Sequence, residues 1–403
     1  MDRHDEAPHA MGESEASGIL RAEIDLNAIA HNVRELRRVT KSPSVRFMAV
    51  VKANAYGHGA AEVARKALES GADMLGVARL GEGIQIREAG ICAPILIFGH
   101  TPADYAGKLC DHDLTQTVHT CESAGALSDF ALSRGKKIRV HIKVDTGMGR
   151  LGMVAVADHL IKRRIIAEKQ KKLADDILTI AGLHGIETEG IYTHFAASDS
   201  SDKSFADRQF AIFTDLLELL HHRGLNIPIR HAANSGAIID LPETHLDMVR
   251  AGVAIYGLYP SDEVDKTRVS LRPAMCLKAG VVHLKKVPAG FSVSYGMTWK
   301  TPNPTVIATV PVGYADGFSR LLSSNGHMLV RGHRAPITGR VCMDMTMVDV
   351  GHIPDVRTGD EVVIIGPQGD AEITADEIAS SVGTINYEVV SSVMARVPRL
   401  WLR

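Results

Sequence analysis

Phe47-Met-Ala-Val-Val-Lys-Ala-Asn-Ala-Tyr-Gly-His-Gly59 joins a short apolar run to a glycine-punctuated turn, with a single lysine, Lys52, at the junction. A short apolar run that ends in such a turn reads as a buried strand. A lysine at the end of such a strand has two ordinary fates. Its aliphatic stem can carry the charge out to water, or desolvation can strip its proton and leave an amine that attacks aldehydes, the opening of Schiff-base chemistry.

Outward from this stretch the same texture recurs. Ala22-Glu-Ile-Asp-Leu26 alternates as a strand does, and Asn27 opens a helical pattern carried by Ile29, Val33 and Leu36. Strand-like runs lie near 47–51, 74–78, 94–98, 114–118, 138–143, 179–183, 228–232 and 247–250, mostly with helical spacing between them. Between 179 and 195 both Ile180-Ala-Gly-Leu183 and Gly190-Ile-Tyr-Thr-His194 fit the sixth strand, and the second is favoured for the chemistry it delivers. Residues Ser123 to Ser133 and Ser204 to His221 read as helices. Val154 to Leu173 reads as one long helix whose solvated face carries Lys162-Arg-Arg164 and the Lys169 to Lys172 cluster. Eight strands alternating with helices predict an α/β fold beginning with a closed parallel (β/α)8 barrel.

After Pro260 the pattern changes to short apolar segments cut by Gly, Pro and Asp, such as Val306-Ile-Ala-Thr-Val-Pro311 and Glu361-Val-Val-Ile-Ile. This predicts a mostly β C-terminal domain, with a polar link between Ser261 and Ser270. The expected domains are a polar, disordered tail over 1–18, a barrel over 19–265 and a β-rich domain over 266–403.

Composition excludes several classes of function. Forty-five basic and forty-seven acidic side chains leave a net charge of -2, with no basic block to track a nucleic acid backbone. The polar N-terminus lacks the basic start and apolar core of a secretory signal, so the chain is expected in the cytoplasm. The uncharged stretch Thr301 to Ala315 is too short for a bilayer and holds three prolines. Cysteines at 92, 110, 121, 276 and 342 form no CxxC pair and are expected as reduced thiols. The 19 histidines show no metal-binding spacing, so no metal is expected.

In a parallel barrel the chemistry sits at the carboxyl ends of strands, and Lys52, Lys143, His194, Ser235 and Arg250 all fall at or just past such ends. The segment Val51-Lys-Ala-Asn-Ala-Tyr-Gly-His-Gly59 resembles the pyridoxal phosphate lysine motif of the alanine racemase family. Further motifs resemble that family in order: Lys143-Val-Asp-Thr-Gly-Met-Gly-Arg150, Tyr192-Thr-His-Phe195, Ala233-Asn-Ser235, Val249-Arg-Ala-Gly-Val253, Val293-Ser-Tyr-Gly296, Gly339-Arg-Val-Cys-Met-Asp344 and Gly383-Thr-Ile-Asn-Tyr-Glu388. The resemblance runs from Ala22 to Arg399.

The resemblance implies a homodimeric enzyme that interconverts L- and D-alanine with pyridoxal 5'-phosphate and supplies D-alanine for peptidoglycan. Lys52 would be the Schiff-base lysine and one base. Tyr295 would be the second, entering the partner subunit's active site from the C-terminal domain. Tyr56, Ser235, Gly252 and Val253 offer hydroxyls and N–H groups for a phosphate, Asn234 would support that loop, and Tyr387 would add a hydroxyl. His194 would pack against the cofactor ring. Arg250, which cannot give up its proton, would donate to the pyridine nitrogen and weaken the ring as an electron sink. Arg150 would contact the substrate carboxylate and the Tyr295 hydroxyl, and Met343 would offer its backbone N–H. Lys143 would carry a carbamate that holds Arg150, where the residues alone allow an ordinary ion pair with Asp145. Asp199, Tyr314 and Arg340 would line the substrate entrance.

Rival readings are a serine or broader-specificity racemase, a barrel decarboxylase for basic amino acids, and a non-catalytic carrier of the cofactor. Pocket volume would decide the first. The second needs an acidic site for a distal amine, and the third needs no second base.

Overall fold

The structure, a computed structural model, describes residues 19–155 and 163–403. The expected tail over 1–18 therefore lies outside the described residues. Two compact units form, one of Asn27–Pro273 and the other of Ala274–Arg403 with the residues up to Leu26.

The first unit is the parallel barrel. After strand β1 (Leu20–Asp25), its staves are β2 (Arg46–Val50), β3 (Met74–Val77), β4 (Ile95–Ile97), β5 (Thr115–Val118), β6 (Ile138–Asp145), β7 (Ile186–Tyr192), β8 (Ile229–His231) and β9 (Met248–Ala251). They pair in the order β9-β2-β3-β4-β5-β6-β7-β8. The ring is joined between β8 and β9 by Asp247 N–H to Arg230 C=O at 3.1 Å and Arg250 N–H to Ala233 C=O at 3.0 Å, rather than by a full ladder. Met48, Met74, Leu96, Ile229 and Met248 make one buried cluster, with Phe98 packed on it. Burial on both faces explains why β2, β3 and β4 read as continuous apolar runs.

The structure corrects three expectations. Residues 179–181 end the helix Arg163–Ala181 and the sixth stave is Ile186–Tyr192, close to the favoured choice. Met153–Val154 is a short strand beside β6, so no helix begins at Val154. Residues 156–162 lie outside the described residues, while Lys169, Lys171 and Lys172 are exposed as expected. Third, β1 pairs antiparallel with β10 (Met275–Gly280) and parallel with the strand Arg399–Leu402. Its alternation of half-buried and buried residues belongs to that sheet. The unit edges thus fall at 26/27 and 273/274, where the sequence suggested 19 and 265/266.

The second unit is mostly strands. Six of them run in the order His333–Pro336, His327–Val330, Glu361–Gln368, β10, β1, Arg399–Leu402, and a three-stranded sheet joins His283–Val287, Thr305–Val310 and Thr346–Asp349. Among the described residues no helix is long and apolar enough to cross a membrane.

Candidate active site

Strand β2 ends where Val51 N–H donates to Gly76 C=O at 2.8 Å, and the chain then turns the wrong way for L-residues. Ala53, Asn54, Ala55 and Tyr56 have φ of 52°, 52°, 53° and 51°, a left-handed turn closed by Ala55 N–H on Val51 C=O and Gly57 N–H on Ala53 C=O. Each such residue costs about 1–2 kcal/mol, so the turn needs support from its neighbours. Glu82 accepts from Ala53 N–H at 2.6 Å, and Asn54 Oδ1 accepts from Ala60 N–H at 2.9 Å. Lys52 emerges half-buried from this turn, its Nζ 5.8 Å from the Tyr56 ring centroid. Burial first, then the Arg150 charge, pushes the amine below its ordinary pKa, against the opposing pull of Glu82. A larger neutral fraction follows, which is the nucleophilic and basic form.

Beside the lysine, polar groups converge on a space without a side chain of its own. Ser235 Oγ accepts from Gly252 N–H at 2.9 Å and Ala254 N–H at 3.4 Å. A Cβ on Gly252 would stand 3.0 Å from Tyr56 Oη and 3.7 Å from Ser235 Oγ, so the absent side chain lets the backbone approach both hydroxyls at this wall. Val253 begins the short turn Val253–Tyr256, whose buried Tyr256 donates to Val50 C=O at 2.8 Å and packs on Tyr56 with centroids 4.8 Å apart. Asn234 caps Ser235–Asp240, accepting from Ala237 N–H at 3.1 Å and from Ser198 Oγ at 2.6 Å. Burial pushes the Tyr56 hydroxyl well up, so it stays a neutral donor. Hydroxyls and backbone N–H groups in this arrangement suit an oxyanion such as phosphate.

Arg250 lies across the barrel top, 3 % exposed. It donates to Thr193 C=O at 2.9 Å, Ala232 C=O at 2.8 Å, His231 Nδ1 at 2.9 Å and His194 Nδ1 at 3.2 Å. Burial lowers its pKa to about 10, which still leaves it charged at neutral pH. Because a guanidinium only donates, His231 must accept at Nδ1 and carry its proton on Nε2. That proton points at His141 Nδ1, 2.8 Å away, and His141 Nε2 in turn faces Glu189 Oε2 at 3.3 Å. A chain of neutral imidazoles therefore links Arg250 to a carboxylate. Two features of β7 build it. Its register against β6 slips between Val140 and His141, leaving Glu189 unpaired, and a Cβ on Gly190 would stand 2.5 Å from the His141 ring.

His194 sits partly exposed above Arg250, and burial followed by the Arg250 charge pushes its imidazole well below the usual range. Lys143 is 5 % exposed with Nζ 4.4 Å from the Tyr192 ring centroid, and that Nζ has no hydrogen-bond partner. Burial, then Arg250 and Arg150, pushes the amine far down. The expected alternative, a Lys143–Asp145 ion pair, does not form, because Asp145 accepts instead from Gly147, Met148 and Gly149 N–H at 2.9, 2.9 and 3.1 Å. That turn leads to Arg150, which is exposed. Asp199 lies against the start of the Ser235 helix, where a Cβ on Gly236 would meet it at 3.2 Å.

Within the second unit, Tyr295 occupies the single turn Tyr295–Met297 and is 71 % exposed. Ser294 Oγ beside it donates to Arg340 C=O at 2.6 Å, fastening the Tyr295 turn to the Arg340–Met343 loop. Tyr314 N–H donates to Cys342 C=O at 3.1 Å and Ala315 N–H to Met343 C=O at 3.0 Å, so Tyr314 and Met343 ride on stitched loops. Arg396 clamps both, reaching Asp316 at 2.7 Å and Asp344 at 2.6 Å. Tyr387 lies on the helix Asn386–Ser391 of the same unit, half-buried.

The barrel thus brings together Lys52, Tyr56, Arg150, His194, Ser235, Arg250 and Gly252, and the second unit groups Tyr295, Arg340 and Met343 with Tyr314. Sequence reading missed His141, His231, Glu189 and Glu82. Strand alternation puts His141 on the face of Lys143, a signal that was available; the bulged Glu189 and the helix-borne Glu82 left none. Among the described residues no group of three or more His, Cys, Asp or Glu could hold a metal ion.

The neutral histidines predict a pH effect on stability. His141 and His231 are fully buried with depressed pKa values, by burial first in both, so the unfolded chain binds protons that the folded one refuses once pH drops below 6.5. Their contribution is intact above that value and falls by about 1.4 kcal/mol per pH unit for each imidazole as pH drops. Urea midpoints of the cofactor-free chain should therefore decline steeply between about pH 7 and about pH 5, and a flat response would refute the neutral chain.

A family model described as the alanine racemase N-terminal domain matches residues 24–260, and one described as the alanine racemase C-terminal domain matches residues 274–401. A curated alanine racemase of Desulfosudis oleivorans is 55% identical over 380 residues, covering 94% of this chain and 96% of that protein. Among solved structures, an alanine racemase of Clostridium difficile 630 superimposes with a TM-score of 0.88 at 38% identity, over 95% of this chain and 96% of that one. The alanine racemase of Bacillus anthracis, solved with bound L-Ala-P, gives 0.87 at 37%, over 98% of this chain and 96% of that one.

Proposed function

The chain belongs to the alanine racemase family, and from that premise we propose that it interconverts L- and D-alanine with pyridoxal phosphate, using Lys52 and Tyr295 as its two bases. The observation that carries this reading is one barrel mouth holding a half-buried, easily deprotonated lysine, an oxyanion cradle at Ser235, Gly252 and Tyr56, and a buried Arg250.

These residues fit the cofactor. The glycine wall at 252 and its two flanking hydroxyls suit the phosphate, with Val253 and Asn234 shaping the loop, and Tyr387 would add a hydroxyl. Arg250 would face the pyridine nitrogen, and His194 would flank the ring. When bound, pyridoxal phosphate would supply an aldehyde for the amine and a ring that takes up the electron pair left behind when the α-proton departs.

Racemisation takes a proton from one face of the α-carbon and returns one to the other, which asks for two groups. Lys52 Nζ is the first, with partial burial and the nearby Arg150 charge enlarging its neutral, proton-accepting fraction. Tyr295 Oη is the second, and its exposure fits a side chain that completes a site in another subunit, beside the exposed Met297, Met343 and Tyr314. On this reading the protein is a homodimer whose C-terminal domain completes the partner's active site. Arg150 would hold the substrate carboxylate with Met343 N–H. Arg250, charged and donor-only, cannot hand a proton to the ring nitrogen, so electron withdrawal stays limited. Lys143, a buried amine without a partner, would react with carbon dioxide to a carbamate that accepts from Arg150. Asp199, Tyr314 and Arg340 would narrow the entrance. The D-alanine would serve peptidoglycan synthesis in the cytoplasm.

The reading is tested by incubating the protein with pyridoxal phosphate and L-alanine in deuterated water. D-alanine carrying α-deuterium is the expected product. Lysine-bound cofactor without D-alanine or label would overturn the assignment, and turnover of serine in preference to alanine would move the specificity.

A further inference from the structure

Lys52 is presented by four successive residues in a conformation that L-amino acids avoid, and something outside the turn must hold it. The support comes from Glu82, on the third position of the helix Leu80–Glu88 after β3. One carboxylate oxygen does what an acid at this position usually does, accepting from Ala78 N–H at 2.7 Å and Arg79 N–H at 3.0 Å. The other leaves its own helix and accepts from Ala53 N–H at 2.6 Å, the residue that follows Lys52. A carboxylate is acceptor-only at both oxygens, so it can serve both loops at once. A glutamine must turn an NH2 toward one set of N–H donors.

We propose that Glu82 is a positioning residue for Lys52: its carboxylate ties the left-handed turn carrying the lysine to the loop after β3 and gives the amine an anionic neighbour. The inference rests on the functional reading of Lys52 given above, but its geometry does not. The groups facing the amine are Tyr56 on its own turn, Glu82 beyond β3, Arg150 beyond β6 and His194 beyond β7. Of the charged ones, Glu82 alone pulls the amine toward its protonated form, against burial and Arg150. Glu82 thus opposes excessive loss of the lysine proton while the turn fixes where Nζ points.

Glu82→Gln and Glu82→Asp separate the two roles. In the full chain, hydrogen exchange read by mass spectrometry should quicken by about tenfold at residues 51–57 in both variants, since the glutamine loses one link and the aspartate is too short to span both loops. With cofactor removed, labelling of Lys52 by an amine-reactive acylating reagent is followed against pH. Half-labelling should move to lower pH in Glu82→Gln, which loses the charge, and stay near the parent value in Glu82→Asp, which keeps it. Thr120→Ala, which strips the cap from another barrel helix where Thr120 accepts from Ser123 N–H, should change neither reading. Exchange that quickens only at 78–83, or an unmoved labelling profile in Glu82→Gln, reduces Glu82 to a helix cap and overturns the proposal. Should Glu82→Gln fail to fold, exchange at 51–57 in Glu82→Asp decides alone. Neither measurement uses alanine, so a chain that shows both effects yet racemises nothing would refute the proposed function and leave this inference standing.

Discussion

Lys52→Ala is expected to lower alanine racemisation by about ten-thousandfold while leaving the fold and the noncovalent contacts to the cofactor largely in place. The side chain is half-buried at a strand end, outside the core cluster of Met48, Met74, Leu96, Ile229 and Met248. Its removal opens no core cavity, and the thermal midpoint should change little. The anchors proposed for the phosphate and ring nitrogen lie elsewhere, on Ser235, Gly252, Tyr56 and Arg250, so on that reading the variant should still take up pyridoxal phosphate without the covalent bond. What is lost is the amine itself, both as the cofactor's attachment and as a proton carrier. The vacated channel is the width of an alkyl chain, so a small primary amine in the buffer should restore part of the rate, whereas a tertiary amine of similar basicity should restore less. Undiminished turnover by Lys52→Ala would remove the lysine from the mechanism.

The electrostatics explain why that site would hold anions. Burial and the Arg150 charge depress the pKa of Lys52, Lys143 and Arg250 alike, and Arg250 further depresses Lys143. Arg250 is satisfied only by carbonyls and neutral imidazoles, none of which cancels its charge. Buried positive charge without a matching anion is unfavourable by several kcal/mol per ion. A doubly charged phosphate and a substrate carboxylate would relieve it. Stability given up in the cofactor-free chain should therefore return as binding energy, together with the strain of the left-handed turn at 53–56.

How much of this was legible follows from the physics of each element. Barrel strands buried on both faces write themselves as apolar runs, and the ends proposed to carry the chemistry are marked by the polar residue that breaks the run, as at Lys52 and Arg250. The sixth stave was ambiguous because the helix Arg163–Ala181 ends in Leu178-Thr-Ile-Ala181, which is as apolar as a strand. Strand β1 alternates as a half-buried strand should, yet no local pattern tells which sheet it joins; its partners, Met275–Gly280 and Arg399–Leu402, both lie at the far end of the chain. The site was legible where motifs carry backbone geometry, as at Gly252. It was illegible where a contact depends on a bulge, as for Glu189, or on a helix cap that reaches into the next loop, as for Glu82.

Tyr295→Phe should reduce racemisation by about a thousandfold, and its pairing with Lys52→Ala tests the shared site. The phenylalanine keeps the ring and removes only the hydroxyl, on a side chain so exposed that folding should be untouched. With one base left, α-deuterium should still enter one enantiomer without inversion, a signature that a merely misfolded variant would not give. Mixing the two inactive variants and allowing subunits to exchange then separates the architectures. If each site takes Lys52 from one protomer and Tyr295 from the other, a mixed dimer has one doubly damaged site and one intact site. Random exchange makes half of the dimers mixed, so about a quarter of the parent activity should appear from two nearly silent proteins. If both residues of a site came from the same chain, every site in the mixture would carry one lesion and no activity would return. Recovery near a quarter would establish that the exposed Tyr295 works in its partner, and silence after demonstrated exchange would confine each site to one chain.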